Sequence, residues 1–207
     1  MTPKARLYNK DRRTTTLYWG REEQGEYYLR GGVCWPVSVE TAGGIDAQGY
    51  ALLIGQDVSS KAYRVFKQCE FVTVDHILED GIITYPGVAT WFNDCWSQYF
   101  ARTFYWHQDD ELTRSYRLDV WRSDTIVPKP SLVNVDWSDD GAALHLIWRL
   151  VKTRKLFFKE GSVLDRQLKG IKKGDKGMLP AVHALACALA GMVRHPFREP
   201  RSLDETE

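Results

Sequence analysis

The chain has 207 residues, of which 43% are hydrophobic and 27% charged, and its formal net charge is +1. That length supports one full-sized core without staples, and the near-neutral balance excludes a uniformly basic nucleic-acid binder. The charge is nevertheless polarised: residues 149–176 carry ten Lys or Arg against three Asp or Glu, whereas residues 31–148 carry eight against sixteen.

Four cysteines, Cys34, Cys69, Cys95 and Cys187, are widely spaced and form no C-x-x-C pair. Neither a zinc knuckle nor a redox motif follows from that spacing, which suits small buried side chains in a reducing compartment. The first residues lack an apolar signal region, and no apolar run approaches the roughly 18 residues of a membrane span. A cytoplasmic location with no membrane partner is therefore expected.

Residues 1–13 are polar and basic and read as an arm or an extended contact. Residues 14–30 contain TTTLYW and EYYLR around GREEQG, a hairpin pattern expected to form an appendage covering residues 1–30. Gly31 and Gly32 then punctuate the entry to a core domain spanning 31–194. Its opening stretch, WPVSVETAGGIDAQGYALLIGQD, reads as a strand over 36–40, a loop over 41–49 and a strand over 50–56. A β-branched and aromatic run over 63–77 completes an antiparallel meander, with a bulge expected near residues 67–70 where the alternation breaks.

LEDG and YPG close the meander. The i, i+3, i+4 pattern of Val88, Trp91, Phe92, Cys95, Trp96, Tyr99 and Phe100 predicts an amphipathic helix over 88–102. Residues 103–106 follow as a short buried parallel strand reached by that crossover. A helix over 112–121, a loop over 123–130 and a strand over 132–135 come next. A helix over 142–152 presents Leu144, Ile147, Trp148 and Val151 as one face, and LFF and a short helix follow it. After the KKGDKG break, a final helix over 180–194 opens with Pro at its first position. Residues 195–207 read as a polar tail.

The expected class is thus α/β: a mixed sheet with a three-strand antiparallel meander, then parallel strands, with flanking helices. This order, with GYALLIGQD, AYRVFKQCEF, IWRLVKTRKLFFKEGSVLDRQLKG and AVHALACAL in sequence, resembles the RNase H-like nuclease domain at the C-terminus of phage large terminase subunits. The resemblance implies a metal-binding acid on the first strand, falling here on Glu40. It also implies partner carboxylates after the fourth strand and before the last helix. At those places the chain offers Asp109 or Asp110 and then Asp175, with Leu179 and Pro180 standing where the family carries an acidic pair.

Such a centre would hold two Mg²⁺ or Mn²⁺ ions, hard cations that need three or four carboxylates to clamp the attacking and leaving oxygens. Glu40, Asp109 and Asp175 are the metal-ligand candidates, Asp110 an alternate, and His107 or His183 a neighbour. Against this, residues 109–111 suit helix capping, Asp175 a solvated loop, and His183 a helix core. Asp139 and Asp140 suit an N-cap, and Asp46 a turn.

GGIDAQG matches neither phosphate-binding glycine pattern, so no P-loop ATPase motor is encoded. Lys152, Arg154, Lys155, Lys169, Lys172, Lys173 and Lys176 are candidates for tracking a DNA backbone. The resemblance implies a phage or prophage protein that handles double-stranded DNA in packaging or processing, alongside packaging or other assembly proteins, with a degenerate active site. The alternatives are an active two-metal endonuclease and a non-enzymatic module that docks a partner through its N-terminal hairpin.

Overall fold

The computed structural model describes residues 3–19, 23–41, 44–72, 77–79, 82–83, 86–107, 111–135, 140–171 and 179–196. The first half is built from strands: β1 (Lys4–Asn9), β2 (Thr14–Trp19), β3 (Glu23–Thr41), β4 (Gly44–Asp57), β5 (Tyr63–Val72), β6 (Ile77–Glu79) and β7 (Ile82–Ile83). Helices and short strands then alternate: α1 (Pro86–Tyr99), β8 (Thr103–Trp106), α2 (Glu111–Arg122), β9 (Ser131–Asn134), α3 (Asp140–Lys152), β10 (Leu156–Phe157), α4 (Val163–Gly170) and α5 (Pro180–Arg194). No helix among the described residues is long and apolar enough to cross a membrane.

Among the described residues the strands form one eight-stranded mixed sheet and one small β6–β7 pair. β1 to β5 follow one another antiparallel, and β10 joins β5 in parallel. On its other side β3 is shared: residues 23–27 pair with β2, and Gly31, Gly32 and Val33 pair in parallel with Phe104, Tyr105 and Trp106 of β8. β9 extends this parallel part beyond β8. The central order is therefore β5-β4-β3-β8-β9, with α1 crossing from the meander to β8 and α2 from β8 to β9.

The period of two along each strand divides the core into two layers. Tyr27, Leu29, Val33 and Trp35 of β3 join Ala51 and Leu53 of β4 and Phe104 and Trp106 of β8 against Trp91, Phe92, Cys95 and Tyr99 of α1. The alternate positions, Tyr28, Tyr50, Leu52 and Ile54, face Ile147 and Leu150 of α3, Leu164 of α4 and the Ala-rich α5. Each sheet face is thus covered by helices, which is why the β4 run YALLIG is apolar throughout rather than alternating.

β3 continues through Gly31 and Gly32, so a boundary at residue 30 falls inside one strand, and the expected appendage shares that strand with the core. The two glycines serve close approach rather than punctuation. A Cβ at Gly31 would lie 1.9 Å from the Phe104 ring, and one at Gly32 would lie 1.8 Å from the Ala184 carbonyl oxygen of α5. Three further differences concern the strands. Residues 4–9, expected as an arm, pair with β2. The expected loop over 41–49 is largely strand, since pairing continues to Thr41 and Gly44. The register shift in β5 falls at Phe66, just before the expected residues, because Leu53 pairs with Lys67 and Ile54 with Val65.

Asp57 ends β4 as a turn residue. It accepts hydrogen bonds from the Ser59 amide at 3.0 Å, the Ser59 hydroxyl at 2.6 Å and the Ser60 amide at 2.7 Å. Burial opposes its ionisation, but these donors outweigh burial and its pKa is lowered.

Two glycine substitutions test the packing in opposite directions. Gly32→Ala should lose about 3 kcal/mol or more, because the added methyl must displace helix backbone. Gly170→Ala, at the end of α4 with nothing within 4 Å, should gain roughly 0.5 kcal/mol. Urea unfolding of both variants beside the parent checks the pair.

Candidate functional site

α5 lies over the sheet in a direction set by three contacts: Gly32 meets Ala184, Tyr105 meets Gly191, and the Tyr28 hydroxyl donates to the His195 carbonyl. The helix therefore runs antiparallel to β3, and its N-terminal end reaches the edge where β8 and β9 finish. Pro at N1 suits that start, since the first helical amide needs no partner. The Gln167 side chain of α4 accepts from the Ala181 amide at 2.8 Å and ties the start down.

Two histidines meet at this edge. His107 follows β8 directly, and its Nδ1 lies 2.8 Å from the carbonyl oxygen of Val135, just past β9. A carbonyl only accepts, so Nδ1 carries the proton, and in the neutral ring Nε2 carries the lone pair. The His183 ring of α5 has its centroid 6.2 Å from that of His107, at 46°. Beside them Cys34, half-buried, lies one residue past the Val33–Trp106 pairing and packs against the α5 side of the core. On the opposite face Trp35 and Trp106 meet edge to face with centroids 6.4 Å apart. His107 and His183, each a candidate neighbour of the metal site, thus lie near each other through a non-local contact between the end of β8 and α5.

The acids are distributed differently. The backbone of Glu40 pairs with Ile45 near the end of the β3–β4 hairpin, seven residues beyond Val33, which is level with the end of β8. At strand rise that is on the order of 20 Å along the sheet. The β3 positions level with the end of β8, Val33, Cys34 and Trp35, bear no carboxylate. The Glu40 side chain lies outside the described residues, as do Asp109, Asp110, Asp175, Asp139 and the side chains of Asp46 and Asp140. No group of three or more metal-ligating side chains occurs among the described residues.

The described cationic candidates are all exposed. Lys152 ends α3, Arg154 and Lys155 lie in the turn to β10, and Lys169 lies on α4. Arg149, Lys159 and Arg166 join them, also exposed, whereas Lys172, Lys173 and Lys176 lie outside the described residues. Lys169 is partly neutralised, since its Nζ lies 2.9 Å from Asp165.

Trp148 was expected on the apolar face of α3 but is 50% exposed. It lies in a groove of about 440 Å³ with His145, Arg149, Val151 and Lys152. The buried stripe runs through Ile147 and Leu150 instead, and Trp148 sits one helical step away from it, roughly 100° round. An aromatic ring flanked by cations is a surface that can take a base face or a sugar. The signal was present in the sequence as W-R-x-x-K, but helix phase decides whether such a tryptophan is core or surface.

Asp165 holds the start of α4 together. Its carboxylate accepts from the Gly161 amide at 2.8 Å, and its amide donates to the Ser162 hydroxyl at 3.2 Å, so Ser162 caps the helix while Asp165 anchors the residue before the cap. The Gly161 amide, then Lys169, lower the Asp165 pKa, and Asp165 raises that of Lys169.

No protein-family model, no curated protein and no solved structure matches this chain.

The sign of the Asp165 shift sets a pH dependence. A carboxylate with a lowered folded pKa contributes stability that is full above its unfolded value, about 3.9, and is lost as pH falls through the folded value. Asp165→Ala should therefore flatten the acid limb of the stability curve below about pH 4 relative to the parent. Thermal unfolding followed by circular dichroism across pH 2–6 measures this; parallel acid limbs would assign the loss to other carboxylates.

Proposed function

We propose that this chain is a DNA-handling protein with an RNase H-like core, related to the nuclease domain of phage large terminase subunits. In this reading it acts on double-stranded DNA in packaging or processing and carries a degenerate nuclease centre. The single observation that carries it is the sheet order β5-β4-β3-β8-β9, with three antiparallel strands, two parallel additions and helical crossovers at α1 and α2. The terminal helix packed over the first long strand of that order supports the same reading. Fold alone licenses no activity, so the binding role rests on the exposed cations Lys152, Arg154 and Lys155, which follow Trp148 at the end of α3 and in the turn after it.

Degeneracy is supported by register. In a two-metal centre the carboxylates converge on ions about 4 Å apart, and Val33, Cys34 and Trp35 occupy the β3 positions level with the end of β8. Glu40 stands well beyond that level. Mg²⁺ or Mn²⁺ is a cofactor only in the alternative reading, an active endonuclease centred on Glu40.

Two measurements follow. Duplex DNA should be retarded at about 50 mM salt and released as salt rises. Substituting Lys152, Arg154 and Lys155 together by Glu should lower the slope of log K against log salt by about 2.7, the share of three phosphate contacts; an unchanged slope would move the interface elsewhere. Plasmid incubated with Mn²⁺ should give the same products with the parent and with Glu40→Gln. Nicking present in the parent and absent in the variant would replace the degenerate reading with the catalytic one.

A further inference from the structure

β9 is the last strand on its side of the sheet, and among the described residues no strand pairs with its outer edge. The Ser131 amide donates to the Arg102 carbonyl and the Val135 amide to the Trp106 carbonyl, both at 2.7 Å. Those positions face β8, so the alternation of a strand turns the amide and carbonyl of Leu132 to the open edge. An unpaired edge is a template for another extended segment.

The surface beside this edge is a groove of about 530 Å³ between α2 and β9. Its floor is apolar: Leu132 is partly buried, while Leu118 and Trp121 of α2 are 46% and 67% exposed. Arg114, Arg117 and Lys129 line the same groove, and no carboxylate does so among the described residues. The Lys129 ammonium donates to the Ser123 carbonyl, a neutral acceptor that fixes its position and leaves its charge in place.

We infer that this face docks an extended acidic peptide of a partner protein, which adds a strand to β9 and lays alternate apolar side chains over Leu118 and Trp121. Strand addition draws affinity from main-chain hydrogen bonds and specificity from pockets for every second side chain, and the groove supplies both elements side by side. Every second side chain of such a strand faces the groove, and the charge complement selects Asp or Glu beside the apolar residues at those positions, toward Arg117 and Lys129. A nucleic acid would use the cations and the Trp121 ring but neither the Leu132 amide nor the aliphatic Leu118 and Leu132 side chains. This surface is formed by α2 and β9, apart from the α3–α4 cations of the proposed DNA interface, so either assignment can fail without the other.

The test uses the full chain and a short fluorescein-labelled peptide that carries valine and aspartate in turn at every second position, with serine between them, followed by fluorescence polarisation. Binding should saturate below about 1 mM and weaken about tenfold in Arg117→Glu, the size of one charge-assisted hydrogen bond. Leu132→Pro removes the outward amide while leaving the β8 ladder its donors, a substitution that edge strands tolerate, and should weaken binding by a similar factor. If that variant fails to fold, Arg117→Glu and a peptide with lysine in place of aspartate still decide the matter. Equal binding of the lysine peptide, unchanged affinity in a folded variant, or no saturation by about 1 mM would each overturn the inference. So would a short oligonucleotide that binds more tightly than the peptide and is lost in Arg117→Glu, since the groove would then belong to nucleic acid.

Discussion

The contact between Gly32 of β3 and the backbone of Ala184 in α5 is the constraint on which the rest of this molecule depends. A hydrogen in place of a methyl lets the helix settle directly on the central strand, where a Cβ would come within 1.8 Å of a carbonyl oxygen. Because α5 is lined with Ala181, Ala184, Ala186 and Ala188, all buried, both surfaces are small and their backbones approach closely. That seating fixes the helix direction, carries His183 to His107, and covers Tyr28, Leu52 and Ile54. The layer of α3 and α4 then packs around the helix and brings its cations to the outside.

β3 is the second organising element, because one strand serves two neighbours on the same side. Its first residues pair with β2 and its middle with β8, so the N-terminal hairpin and the parallel part of the sheet meet on a single backbone. Arg30 lies at this junction, only 8% exposed, with its guanidinium 3.9 Å from the Tyr28 ring centroid and Nη1 donating to the Leu29 carbonyl at 2.7 Å. The Tyr28 hydroxyl in turn meets the His195 carbonyl at the C-terminus of α5. A cation near that end of a helix is favoured by the partial negative charge of its last carbonyls.

Local chemistry was readable wherever a single segment carried its own instruction. Pro180 and the Ala-rich run that follows define α5 over the bounds expected from sequence, and TFYW gives β8 residue for residue. Features requiring a partner were not readable. The arm over 4–9 becomes a strand because β2 offers it an edge, and Gly31–Gly32 resembles a break until Phe104 and Ala184 are placed against it. Periodicity alone points Trp148 inward, although a shift of one residue in helix phase moves a tryptophan from core to surface. Of the candidate site, the His107–His183 neighbourhood and four cations could be placed, whereas the position of Glu40 depended on pairing register.

The α/β class, the antiparallel meander, the order of helices and strands after it, and the concentration of positive charge in residues 149–176 are legible in the amino-acid order alone. These follow from periodicity, turn residues and composition, which act over a few neighbouring positions. Long-range pairing sets the rest: β8 pairs with β3 at Gly31, Gly32 and Val33, Glu40 stands far beyond the end of β8, and among the described residues no strand covers the outer edge of β9 beside a cationic groove. Register and edge are properties of pairs of distant segments, chosen by how whole side-chain sets interlock across the sheet.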